Sequence, residues 1–236
     1  MAAFDHIADA IKAPAVVRLT DNLYVARFET MKVYSTLVAV ERLLSAGNVR
    51  KGDTLIDSSS GLYAYALALA CHRFGMKCHV VASKTVDRTL ALQLEILGAT
   101  VDRVPPSATL KLDQSLRVQR IQSLLQADRS MHWMQQYHDD IHYAGYEPVA
   151  KALVDAVGTD GLTVVGGVGS GCSTGGLIQQ TSDSRHYRRS RQSAGPLPRS
   201  DTCPPRRLLP SSGTPVCRQG FPRQFSDLLR AVSVPT

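Results

Sequence analysis

Two short stretches gather backbone donors and small polar side chains in a pattern that suits an anionic ligand. Residues 167–176 read GVGSGCSTGG, with five glycines, two serines and a threonine, directly after the apolar run Leu162-Thr163-Val164-Val165. A glycine-rich turn that follows a strand and opens a helix either packs backbone on backbone or aims N–H groups at an anion, most often a phosphate. Five glycines exceed what one tight turn needs, which favours the anion. The second stretch, Ser58-Ser59-Ser60-Gly61, follows Asp53-Thr54-Leu55-Ile56 and precedes an apolar segment. Helix capping alone accounts for it, yet its free N–H groups also offer a positive dipole end. Two such loops on one sheet edge suit a ligand with two anionic ends, such as a phosphate and a carboxylate.

Other chemistries fit less well. A dinucleotide fingerprint needs G-x-G-x-x-G in the first strand-to-helix turn; Gly167 and Gly169 fit, but position 172 is cysteine and the loop belongs to the last unit. No G-x-x-x-x-G-K-[ST] sequence exists. His132, His138 and His142, with Asp139 and Asp140 between them, could share one helical face only in part. Polar residues on the rim of a loop explain them more cheaply, so no metal is expected.

The elements that must position these loops alternate. Strands are expected at Asp53–Ile56, Cys78–Val81, Thr100–Val104, Met131–Gln135 and Leu162–Val165. Between them come helices over Leu62–Phe74, stopped by Gly75, and Leu90–Leu97, stopped by Gly98. Two more follow over Leu112–Leu125 and Tyr143–Val157, and another begins at Thr174. Strands and helices in this order imply parallel βαβ units, an α/β sheet covered on both faces and ligands beyond the carboxyl ends of the strands.

The chain has 236 residues, 44% of them hydrophobic, enough for a sizeable core. Its net charge of +7 is not spread evenly. Residues 1–180 balance to zero, and residues 181–236 carry ten arginines, no lysine and three aspartates. That segment also holds eight of the twelve prolines and shows neither apolar period. It reads as a basic disordered tail or, better, as out-of-frame translation of a GC-rich gene. Its arginines do not interleave with aromatics, so nucleic-acid binding through the tail is the weakest of the functional readings. Five cysteines without a C-x-x-C pair, and an N-terminus with no continuous apolar leader, imply reduced thiols and a cytoplasmic protein. Cys71 and Cys78 are expected as small core residues. The longest apolar stretch, Leu62 to Cys71, is half the length of a bilayer span, so no membrane partner is expected.

The segments ETMKVYSTLVAVERLL, DSSSGLYAYALALA, QQYHDDIHYAGYEPVAKAL and VVGGVGSGCSTGG, taken in order, resemble the cysteine synthases and related members of the tryptophan-synthase-β superfamily. The resemblance runs from about Leu23 to Gly176 and lies in the order of the motifs more than in any one of them. It implies a fold type II pyridoxal 5′-phosphate enzyme with two open parallel-sheet α/β domains, the second incomplete. Residues 35–140 would form the smaller domain, and 1–34 with 141–180 part of the larger one. It further implies that Lys32 forms the Schiff base with the cofactor and later takes the substrate α-proton. Gly169, Ser170, Gly171, Cys172 and Ser173 would hold the cofactor phosphate. Ser59, Ser60, Gly61 and Tyr63, with Gln136, would clamp the carboxylate of a small amino-acid substrate. The implied reaction is β-elimination or β-replacement, and the family admits a homodimer; the competing expectation is a catalytically inactive, truncated or frame-shifted member. Leu62 stands where the family places asparagine, Val33-Tyr34 follow the lysine, and Cys172 replaces a loop glycine, which marks a divergent subfamily.

Overall fold

Residues 3–11, 13–84, 86–158, 162–166 and 169–181 are described by a computed structural model. The arginine-rich segment, and Gly167 of the glycine loop, lie outside the described residues. The chain begins with an antiparallel pair, β1 (Ala15–Arg18) and β2 (Tyr24–Arg27), in register from Ala15 opposite Arg27 to Arg18 opposite Tyr24. Helix α1 (Met31–Ser45) leads to β3 (Thr54–Ser58), α2 (Leu62–Phe74), β4 (Lys77–Ser83), α3 (Arg88–Ile96) and β5 (Thr100–Val104). Then come α4 (Leu110–Ala127), β6 (His132–Trp133), α5 (Glu147–Val157) and α6 (Cys172–Thr181).

The central sheet has the order β5-β4-β3-β6, and every pairing is parallel. Leu55, Ile56, Val80 and Val81 are buried on consecutive positions, as strands covered on both faces require. Leu55 and Val80 meet α1 and α2 on one face, in a cluster with Val40, Leu43, Leu67 and Ala68. Ile56 and Val81 meet Ile121 of α4 on the other. The alanine- and leucine-rich α2 is thus buried along most of its length, and Gly75 at φ 69° ends it. The Met76 N–H then donates to the Cys71 carbonyl at 2.8 Å, closing the helix in a left-handed cap.

Three sequence expectations are corrected. The strand at Met131–Gln135 contracts to His132–Trp133; just beyond it Gln135 takes φ 47° and the Gln136 N–H donates to Asp57 Oδ2 instead of continuing a ladder. The helix at Tyr143–Val157 divides into a 3-10 turn, Asp140–Tyr146, and α5. Pro148 lacks an N–H, so it suits the first turn of an α-helix and not its interior. Leu162–Val165 is no strand: it pairs with no other strand among the described residues, and Val165 is 89% exposed.

Candidate active site

The N-terminal turn of α1 carries Lys32, and its Nζ donates to the Ser170 Oγ at 2.9 Å across 138 residues of sequence. The contact exists because α1, the 3-10 turn and α6 pack on one another. Tyr146 donates its hydroxyl to the Met31 carbonyl at 3.2 Å, and Gly176 of α6 lies against Tyr146 and the Tyr143 carbonyl. Burial lowers the Lys32 pKa, with nearby Cys172 acting in the opposite sense. A lysine so placed is more readily neutral, and neutral it is a nucleophile and a base.

Ser170 belongs to the turn that opens α6. Gly171 takes φ 84°, a conformation side chains avoid, and the Gly175 N–H then donates to its carbonyl at 2.7 Å. Among the described residues no atom lies within 4 Å of where a Cβ at Gly169 would stand. Cys172 and Ser173 are buried at the start of the helix. These residues fit a phosphate: backbone donors at a helix N-terminus with small polar side chains among them.

The serine loop sits at the carboxyl end of β3. Ser59 Oγ accepts from the Gly61 and Ala64 N–H groups, at 3.3 and 3.2 Å, and so caps α2. Ser60 Oγ accepts from the Ser83 N–H at 2.8 Å and from Arg117 Nη1 at 3.0 Å. Gly61 is extended, and Leu62, 63% exposed, opens α2. The Tyr63 hydroxyl turns inward, hydrogen-bonded to Asp57 and 3.5 Å from His142 Nε2, and its ring meets His142 edge-on at 5.6 Å. Gln136 is brought beside the serine loop: its Nε2 donates to the Ser58 carbonyl at 3.2 Å and its N–H to Asp57 Oδ2 at 3.0 Å.

Two functional candidates escape sequence reasoning. Asp57, 3% exposed, accepts from the Ser58 N–H at 2.7 Å, from Trp133 Nε1 at 3.1 Å and from Gln136. Burial pushes its carboxyl upward, and these hydrogen bonds oppose the shift. The one available signal is an acidic residue directly after the apolar pair Leu55-Ile56. Since all its partners donate, Asp57→Asn must turn an NH₂ toward one of them. It is expected to cost about 1–3 kcal/mol in chemical unfolding and to loosen Gln136. The second candidate is Arg117 of α4, whose Nε is buried without a hydrogen-bond partner. Nothing in the sequence separates it from Arg120, the other arginine of that helix.

His142 is wholly buried and donates Nε2–H to the Met134 carbonyl at 3.0 Å, a carbonyl being able only to accept. Burial lowers its pKa. His132 lies in β6 and His138 is exposed. Among the described residues no group of three or more His, Cys, Asp or Glu side chains could hold a metal ion. Cys71 and Cys78 are buried in the core around α2.

A parallel α/β sheet and a desolvated lysine held against a glycine-serine helix start are thus the features of the site. Residues 24–190 match the family model described as pyridoxal-phosphate dependent enzyme, and the chain belongs to that family. It is 30% identical over 119 residues to an N-(2-amino-2-carboxyethyl)-L-glutamate synthase of Ralstonia nicotianae, a match covering 48% of this chain and 35% of that protein. It is 32% identical over 80 residues to the cystathionine beta-synthase of Mus musculus, covering 34% of this chain and 14% of the relative. Among solved structures, the O-acetylserine dependent cystathionine beta-synthase from Helicobacter pylori superposes with a TM-score of 0.68 at 21% identity, over 77% of this chain and 63% of that one. Cysteine synthase from Entamoeba histolytica gives 0.66 at 16%, over 76% and 57%. The fold is therefore that of the fold type II enzymes, and the chain spans about a third or less of the curated relatives named here. No helix of the described residues is long and apolar enough to cross a membrane.

Proposed function

We propose that this chain carries a site for β-elimination or β-replacement on a small amino acid with a leaving group on its β-carbon. The observation that carries the reading is the 2.9 Å contact between Lys32 Nζ and the Ser170 hydroxyl at the glycine loop. Lys32 would hold the cofactor aldehyde, and Gly169, Ser170, Gly171, Cys172 and Ser173 its phosphate. Pyridoxal 5′-phosphate, when bound, supplies an electron sink for the charge left at the substrate α-carbon. The chain's own part is to bind, orient and move a proton. Lys32, desolvated and more readily neutral, takes the α-proton. Ser59, Ser60, Gly61 and Gln136 hold the substrate carboxylate at the end of β3. The division into a lobe of residues 35–140 and a second lobe of 1–34 with 141–180 belongs to the same proposal; the four parallel strands all fall in the first.

The Arg117 guanidinium stands behind Ser60 with a spare donor. Arg117→Ala is expected to raise KM for an anionic amino-acid substrate by about tenfold or more, the scale of one hydrogen bond to a charged group. Arg117→Lys should recover only part, because an ammonium lacks the planar fork. Steady-state kinetics separate this from an equal fall in kcat, which would remove Arg117 from substrate binding.

The test of the function is chemical. Purified full-length chain is mixed with pyridoxal 5′-phosphate, reduced with borohydride, digested and mapped by mass. A pyridoxyl group on Lys32 supports the proposal; attachment elsewhere, or a colourless protein that traps nothing, overturns it. Release of pyruvate and the leaving group from β-substituted alanines then tests the reaction itself.

A further inference from the structure

A hydrogen-bond chain runs from the Gln136 carbonyl through Cys172 and Ser170 to Lys32. The thiol, 3% exposed, donates to the Gln136 carbonyl at 2.8 Å. It accepts the Ser170 hydroxyl proton at 3.2 Å, and Ser170 in turn accepts from Lys32 at 2.9 Å. The order of donors is set from one end. A backbone carbonyl has no proton to give, so the thiol must donate to it, which leaves the sulfur lone pairs for Ser170. Ser170 has one proton, and the sulfur takes it; its oxygen then meets Lys32 only as an acceptor. Burial holds the thiol protonated by pushing its pKa up, so the carbonyl-facing S–H persists.

We infer that Cys172 is a positioning residue that keeps the Ser170 proton away from Lys32, so that the neutral amine presents an unshared lone pair to its electrophile. The inference deepens the functional proposal and rests on it for its meaning: the same lone pair would attack the cofactor aldehyde and take the α-proton. Its physical content concerns only this chain's atoms. Without the sulfur, the Ser170 hydroxyl is free to rotate and donate to the Lys32 nitrogen, tying up the pair. A glycine or alanine at 172 offers no side-chain acceptor, whereas serine does.

The experiment uses full-length chain without added cofactor, labelled with acetic anhydride over a range of pH, with the acetylated Lys32 peptide quantified by mass. The readouts are the limiting reactivity of the neutral amine and the midpoint of its titration. Cys172→Ala is expected to lower the limiting reactivity about fivefold, the factor that one neutral hydrogen bond to the lone pair represents. Cys172→Ser should recover most of it. In a Ser170→Ala background, Cys172→Ala should cause no further fall, because no proton remains to misdirect. Ser170→Ala alone should move the midpoint down without raising the limiting reactivity. Unchanged reactivity in Cys172→Ala, or an equal fall in the Ser170→Ala background, overturns the inference. So does a fivefold rise in Ser170→Ala alone, and that variant decides the matter even where Cys172→Ala fails to fold. Cofactor trapping plays no part in these readouts, so a failure here and a failure of the functional proposal are told apart.

Discussion

Lys32→Ala is expected to abolish borohydride-trapped pyridoxyl attachment and to lower any β-elimination turnover by about a thousandfold or more. The size of the effect follows from where the amine sits. No other lysine is joined to the glycine loop by a hydrogen bond among the described residues, and Lys32 reaches Ser170 from the first turn of α1. Burial favours its neutral form, so its reaction with an aldehyde should level off at a lower pH than that of an exposed lysine. Stability moves with the same group. A lysine whose folded pKa is lowered leaves the unfolded chain binding more protons, so folding stability rises as pH climbs from the folded value toward the ordinary one. In Lys32→Ala that slope should vanish from the unfolding curve at alkaline pH. Trapping that survives in Lys32→Ala would place the amine elsewhere.

The largest effect on stability is expected at Gly145. A Cβ there would run into the Tyr34 carbonyl oxygen and stand 2.5 Å from the Ser35 Cα, both backbone atoms of α1. Backbone inside a packed helix cannot give way as a side-chain tip can. Gly145→Ala should therefore cost at least about 3 kcal/mol and lower the unfolding midpoint by roughly 6–12 °C. Gly175→Ala is the contrast. Its Cβ would meet the Tyr143 ring at 3.3 Å, and a ring can shift by a few tenths of an ångström. Alanine is also the better helix former, by about 1 kcal/mol, so the net change there should be small. Because the contact at Gly145 seats α1, and α1 carries Lys32, Gly145→Ala should weaken cofactor trapping as well. A wild-type midpoint in Gly145→Ala would mean that α1 does not rest on the 3-10 turn as described.

Much of this molecule was legible before any fold was known. Helix α2 begins and ends where Gly61 and Gly75 predict, and β5 occupies Thr100–Val104 as read. A left-handed glycine after an alanine-leucine run is a local event, set within one turn of chain. The glycine-rich opening of α6 and the serine loop before α2 are likewise written in consecutive residues. So is the alternation that yields parallel strands, since a buried strand needs only its own apolar run and a helical return.

Other features depended on partners far away in the sequence. The strand expected at Leu162–Val165 has the right composition, but a strand is a ladder between two segments and its own residues cannot supply the second. β6 stops at Trp133 because Asp57, more than seventy residues earlier, draws the Gln136 N–H onto its carboxylate. Tyr63 looks like a site residue in its motif, yet its hydroxyl finds Asp57 in the core. Arg117 and Cys172 acquire meaning only when α4 reaches Ser60 and α6 reaches Gln136. The amino-acid sequence by itself thus determined the alternation of strand and helix from β3 to α4 and where the glycine caps of α2 and α3 fall, because those properties arise from neighbours along the chain. The tertiary structure alone decided which side chains meet Lys32 and Gln136, because burial and hydrogen bonding act between groups that only packing brings within 3 Å or so.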